Sequence, residues 1–199
     1  MSLQSGREEA VRLATEKLQS VDFVSRCADV GLPPPGNEGV AFRAFGSDLL
    51  FRLPSFELIR LESGEPAKLS EQVLVMHYLL HRGPLIKTEE NISFRGYPEG
   101  QFYWGPFQAR TTVPLLRRIG NDLELLKKNL NRFDWKESEI GDFGAKIHLI
   151  GKLDLLLAYY LGDEEFPPTA DVLFDACIRQ VYVAEDAAVL ASLVCIGLL

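Results

Sequence analysis

Apolar residues along the chain fall into two rhythms, one of three to four residues and one of two, and these mark out the elements. Val11, Ala14, Leu18 and Val21 recur at helical spacing, with Glu8, Arg12, Glu16 and Lys17 mostly off that line. Residues 7–26 therefore read as an amphipathic N-terminal helix. Gly31-Leu32-Pro33-Pro34-Pro35-Gly36 can neither continue a helix nor join a sheet. Residues 31–39 read as a stiff connector to a core over 40–199. Alternation then takes over. Residues 40–53 predict a β-hairpin turning at Gly46-Ser47, with Phe42, Ala44, Leu49, Phe51 and Leu53 on the core face. Arg43, Phe45, Asp48, Leu50 and Arg52 fall on the other face, and residues 56–61 predict a third strand.

Ser70 is placed to cap a helix that Gly83-Pro84 stops, with Val73, Met76, His77 and Leu80 as its buried stripe. Residues 91–107 are rich in aromatics and glycine and predict a strand, a Tyr97-Pro98-Glu99-Gly100 turn and a second strand. The longest helical pattern covers 112–133, through Leu116, Ile119, Leu123, Leu126, Leu130 and Phe133. Residues 145–150 and 153–161 predict a hairpin around Gly151-Lys152. Its second arm is apolar on both faces, as in a central strand, although its leucines also permit a short helix. Thr169 reads as the cap of a helix to about residue 181, with Leu173, Cys177 and Val181 inward. A last helix over 184–196 turns Val189, Leu193 and Ile196 inward. Together these elements imply an α+β fold, a mostly antiparallel sheet of about five to seven strands with helices packed on it. The expected organisation is a single domain over 1–199.

Composition narrows the function classes. The 199 residues are 47% apolar, ample for a core, and the net charge of −7 opposes a nucleic-acid or anionic-membrane partner. The three cysteines, Cys27, Cys177 and Cys195, are far apart and show no Cys-x-x-Cys spacing. They read as reduced thiols of a cytoplasmic protein with no iron–sulfur or zinc framework. No basic stretch followed by an apolar one opens the chain, so no signal peptide is expected. The apolar stretches at 153–161 and 187–199 are too short or too interrupted to span a bilayer. The opening Met1-Ser2-Leu3 is set aside from fold reasoning.

The sharpest chemical signal is Gly162-Asp163-Glu164-Glu165-Phe166-Pro167-Pro168, three consecutive acids between two hydrophobic elements. Such carboxylates could ligate a hard cation or serve as general acid and base. The structural alternative pairs Glu165 with Arg95, Arg110 or Arg179 and plugs Phe166 into the core. His77 and His81 are four apart on a helix, and with His148 could make an open zinc site. No carboxylate lies between them as a metalloprotease helix requires. Phe102-Tyr103-Trp104 offers a platform for a flat ligand. No nucleophile elbow, phosphate loop or dinucleotide fingerprint is present.

The stretch Asn91-Ile92-Ser93-Phe94-Arg95-Gly96-Tyr97-Pro98-Glu99-Gly100-Gln101-Phe102-Tyr103, preceded by Met76-His77-Tyr78-Leu79-Leu80, resembles the middle of domain-of-unknown-function family 3786. The 162–168 motif, then Leu173-Phe174-Asp175-Ala176 and Glu185-Asp186-Ala187, resembles that family's C-terminal signature. The resemblance runs from about residue 41 to 193. It implies an accessory or ligand-binding role in anaerobic one-carbon and corrinoid metabolism, with a small molecule or a corrinoid or iron–sulfur protein as partner. It assigns no activity and no cofactor. Two readings follow. In the first, a non-enzymatic binding domain uses Arg95, Tyr103, Trp104, Asp163, Glu164 and Glu165. In the second, a metal-assisted enzyme is built on the 163–165 acids, with His148.

Overall fold

The computed structural model describes residues 3–199; Met1 and Ser2, set aside above, lie outside them. The fold is α+β, with eight strands among the described residues where five to seven were expected. The chain divides into two compact units. The first runs to Ile86 and adds Ile150–Lys152 and Gln180–Tyr182; the second comprises Lys87–Leu149, Leu153–Arg179 and Val183–Leu199.

The first unit opens with α1 (Leu3–Leu18) and α2 (Phe23–Val30), both in contact with α3 (Leu69–Leu80). The helix expected over 7–26 is therefore two. Asp22 accepts a hydrogen bond from the Val24 N–H and starts α2 afresh, and Gly31 at φ 76° closes it. The hairpin of β1 (Gly39–Ala44) and β2 (Ser47–Arg52) turns at Phe45-Gly46, both at positive φ, rather than at Gly46-Ser47. The pairing slips by two residues relative to the expected one, and a two-residue slip keeps every side chain on its face. Val40, Phe42, Ala44, Leu49 and Phe51 are accordingly all buried. β3 (Leu58–Arg60) completes a three-stranded antiparallel meander.

Arg60 ties this meander to α3, donating to Glu71 at 2.6 Å and to Ser47 at 2.7 Å. Glu71 in turn accepts from the Lys68 N–H, which moves the helix start to Lys68 in place of Ser70. α3 is buried nearly all round. Leu74, Val75, Tyr78 and Leu79 join Val73 and Met76 in the core, while His77 and Leu80 are only half-buried. The Tyr78 hydroxyl donates to the Val30 carbonyl at 2.6 Å and accepts from the Lys152 N–H at 2.9 Å.

The second unit is a sheet in the order β5 (Trp135–Ser138), β6 (Phe143–Ile150), β7 (Leu153–Tyr160), β8 (Thr169–Asp175), β4 (Asn91–Ser93), with antiparallel pairing at β5–β6, β7–β8 and β8–β4. β5 was not foreseen. The largest correction is β8, expected as a helix capped by Thr169. It pairs with β7 from Tyr160–Thr169 to Leu155–Phe174, and Val172 and Phe174 alternate into the core. The second strand expected within 91–107 is instead a 3₁₀ turn, Phe94–Gly96, followed by α4 (Trp104–Arg110). The helix expected over 112–133 is α5 (Thr112–Ile119) and α6 (Leu123–Leu130). Gly120 at φ 55° ends the first, and the Asp122 carboxylate caps the second through the Leu125 N–H. After the short α7 (Ile178–Val181), α8 (Ala184–Gly197) buries Ala187, Ala188, Leu190, Ala191, Val194 and Cys195. Val189 and Leu193 are half-buried and Ile196 is exposed, against the expected inward face.

Candidate functional site

β4 ends at Ser93, so it pairs only with Leu173–Asp175 and leaves the β8 edge at Thr169–Asp171 to other elements. The 3₁₀ turn carries Arg95 away from the sheet and α4 brings Trp104 back toward it. The Arg95 guanidinium lies over the Trp104 ring, 4.4 Å from its centre. Behind Trp104 the core is a stack of rings, with Phe107 5.5 Å from Trp104 and Phe94 4.3 Å from Phe107. These contacts fix the indole, and the indole fixes the guanidinium. The pair stands at a groove of about 500 Å³ lined by Ser93, Gln108, Thr112, Leu116, Asp171 and Leu173, among others. Gly100 packs against the Phe94–Arg95 backbone, where a Cβ would run into the Phe94 carbonyl oxygen.

The structure therefore brings Arg95 and Trp104 together and keeps the other expected site residues out of that lining. Tyr103 is exposed at the start of α4, and Phe102 beside it is 87% exposed. Asp163, Glu164 and Glu165 are exposed on the β7–β8 loop. The Asp163 carboxylate accepts the Glu165 and Phe166 N–H groups at 2.8 Å each, and these bonds hold it below the usual carboxylate range. The same loop is clamped by Asn121, which donates to the Gly162 carbonyl at 2.9 Å and accepts its N–H at 2.8 Å. The expected structural pairing of Glu165 is replaced by other partners for each arginine. Arg110 pairs with Glu185, Arg179 donates to the Gly96 carbonyl, and Arg95 lies on Trp104. Phe166 is 66% exposed and does not plug the core. The buried ring at the end of β7 is Tyr159, whose hydroxyl donates to the Gly120 carbonyl at 2.7 Å.

A second cluster escaped the sequence reading. Along β6, Ala145, Ile147 and Leu149 face the core while Lys146 is exposed and His148 half-buried. Asp154 on β7 meets that polar face. Its carboxylate lies 2.5 Å from Lys87, 3.5 Å from Lys146 and 3.5 Å from His148 Nδ1. Burial would raise its pKa, but the hydrogen bonds to His148 and Lys87 and the charges of Lys87 and Lys146 outweigh this and hold it at about 2. The visible signal was the lone acid in the Leu153–Leu157 run, a strand expected to be apolar on both faces. Nearby, Asp175 accepts the N–H groups of Thr88, Glu89 and Cys177 and anchors the approach to β4.

His77, His81 and His148 do not converge. His148 is with Asp154, and His81 Nδ1 lies 3.3 Å from the Gln180 carbonyl oxygen. Among the described residues no three His, Cys, Asp or Glu side chains are grouped to hold a metal ion, and no helix is long and apolar enough to cross a membrane. All three cysteines are buried and free, and burial pushes the Cys27 thiol up to about 11 and Cys195 to about 12.

In comparison with known proteins, a family model described as Domain of unknown function (DUF3786) matches residues 22–196. No curated protein and no solved structure matches the chain.

Proposed function

The chain belongs to the DUF3786 family, and we propose that it is a non-enzymatic binding domain whose ligand enters the Arg95–Trp104 groove. The observation that carries this reading is the stacked pair itself. A guanidinium laid flat on an indole keeps its N–H fork in a fixed plane, ready for a carboxylate, while the ring and its neighbours offer an apolar wall. The ligand that suits it is flat and acidic. A groove of about 500 Å³ falls within the usual range for small-molecule sites. It would take a folate-sized ring, or one acidic edge of a corrinoid, but would not enclose a whole macrocycle. That fits the one-carbon and corrinoid setting the family resemblance implies. The loop bearing Tyr103 lies next in sequence, and the 163–165 acids would serve a partner rather than this ligand.

The metal-assisted alternative has less behind it, since Asp163, Glu164 and Glu165 are not grouped with one another or with His148 as ligands of one ion among the described residues. A thermal-shift screen against corrinoids, tetrapyrroles and folates tests the proposal. Stabilisation by at least one, abolished by Arg95→Ala, is expected. No stabilisation by any of them removes the small-molecule reading.

A further inference from the structure

We infer that the ligand of the Arg95–Trp104 groove is dipolar, a flat ring with a 2-aminopyrimidinone edge that carries a carboxylate or phosphate away from that edge. Pterins and guanine share the edge. This ligand class presupposes the groove proposed above and adds the end of the ligand that Arg95 does not hold. Alternation places Thr169, Asp171 and Leu173 on one face of β8, with Val172 and Phe174 buried on the other. All three line the groove, as does Ser93, which lies opposite Leu173 and shares its face. Asp171 is thus turned to the same groove as Arg95. It is exposed, and its carboxylate has no ion pair or hydrogen bond among the described residues. A ligand that is only an anion gains at Arg95 and is repelled at Asp171. A ligand with an anion at one end and paired N–H donors at the other satisfies both, because two parallel N–H groups match a carboxylate as a guanidinium does.

The main chain adds a second contact. The Ala176 N–H donates to the Glu90 carbonyl, so even-numbered residues along β8 aim their main-chain groups toward β4. Tyr159, opposite Ala170, accepts from the Asp142 N–H on its far side, which agrees with that phase. β4 stops at Ser93, so the Ala170 N–H and C=O open onto the groove edge. One residue of open edge is too short to take up a peptide strand and suits the adjacent polar atoms of a heterocycle.

Calorimetric titration of the full chain tests this with pterin-6-carboxylate and guanylate, each set against a counterpart without the 2-amino group, lumazine-6-carboxylate and inosinate. Binding of the first assigns a pterin, and of the second a guanine nucleotide. In either case binding about tenfold tighter than the counterpart's is expected. Asp171→Ala, at an exposed position, should erase that preference, and Arg95→Ala should abolish binding. The inference is overturned if neither compound binds, if the counterparts bind equally, or if Asp171→Ala keeps the preference. The groove itself is removed as a site only if no anionic ligand, cobyrinic acid included, depends on Arg95.

Discussion

Arg95 and Trp104 are stacked, guanidinium over indole at 4.4 Å, where β4 leaves the β8 edge uncovered. The pair is on the surface, so its own contribution to stability is small, about 0.5–1 kcal/mol. Its value is orientation. Arg95→Lys should therefore barely move the melting temperature yet abolish ligand-induced stabilisation, because an ammonium keeps the charge and loses the planar fork. Equal ligand shifts in the parent and in Arg95→Lys would show that the fork is unused.

Gly100 abuts the backbone that carries Arg95, with no room for a side chain. Gly100→Ala forces a Cβ against the Phe94 carbonyl oxygen and the Arg95 backbone. A lower melting temperature together with lost binding is expected, whereas Gly105→Ala, where nothing lies within 4 Å, should change neither. The two variants compared by thermal melting and ligand shift make the check.

Asp154 gives a pH signature. Its pKa in the fold, about 2, is below the ordinary 3.8. A depressed carboxylate adds stability that is fully present above the unfolded value and lost as pH falls through the folded one. Asp154→Asn should therefore cost about 2 kcal/mol at pH 7, and parent and variant should converge as pH approaches about 2. Urea unfolding across that range reads the difference. A gap that persists at the acid end would mean that packing, and not charge, is what the variant removes.

The acidic loop is read as a turn held from within. Glu165→Ala should leave stability within about 0.5 kcal/mol of the parent, since its side chain is exposed and the arginines have other partners. Asn121→Ala, which removes both bonds to Gly162, should speed amide exchange at Gly162 and Phe166. Loss of stability in Glu165→Ala and none in Asn121→Ala would reverse these roles.

The α+β class and both hairpins were legible in the sequence: period-two alternation marks 40–53 and survives its two-residue register slip, and Gly151-Lys152 between apolar arms marks 145–161. Helix lengths were not. Asp22 and Asp122 each restart a helix inside a continuous apolar rhythm, and a rhythm does not reveal a cap that interrupts it. β8 was misread because Leu173 and Cys177 also match helical spacing, and only the partner strands β7 and β4 decide between the two. In the candidate site, Arg95 and Trp104 were visible as residue types, but their stacking depends on a helix where a strand was expected. Within the Asp154 cluster, Lys146 and His148 are near neighbours across the hairpin turn, and only Lys87, 67 residues away, lay beyond any local pattern.

The most direct measurement of the central claim uses Trp135→Phe protein, in which Trp104 is the sole emitter, titrated with folate and with cobyrinic acid. Saturable quenching by at least one of them, lost when Arg95→Ala is added, is the expected result. Emission that does not respond to either compound, or that responds equally without Arg95, would contradict it.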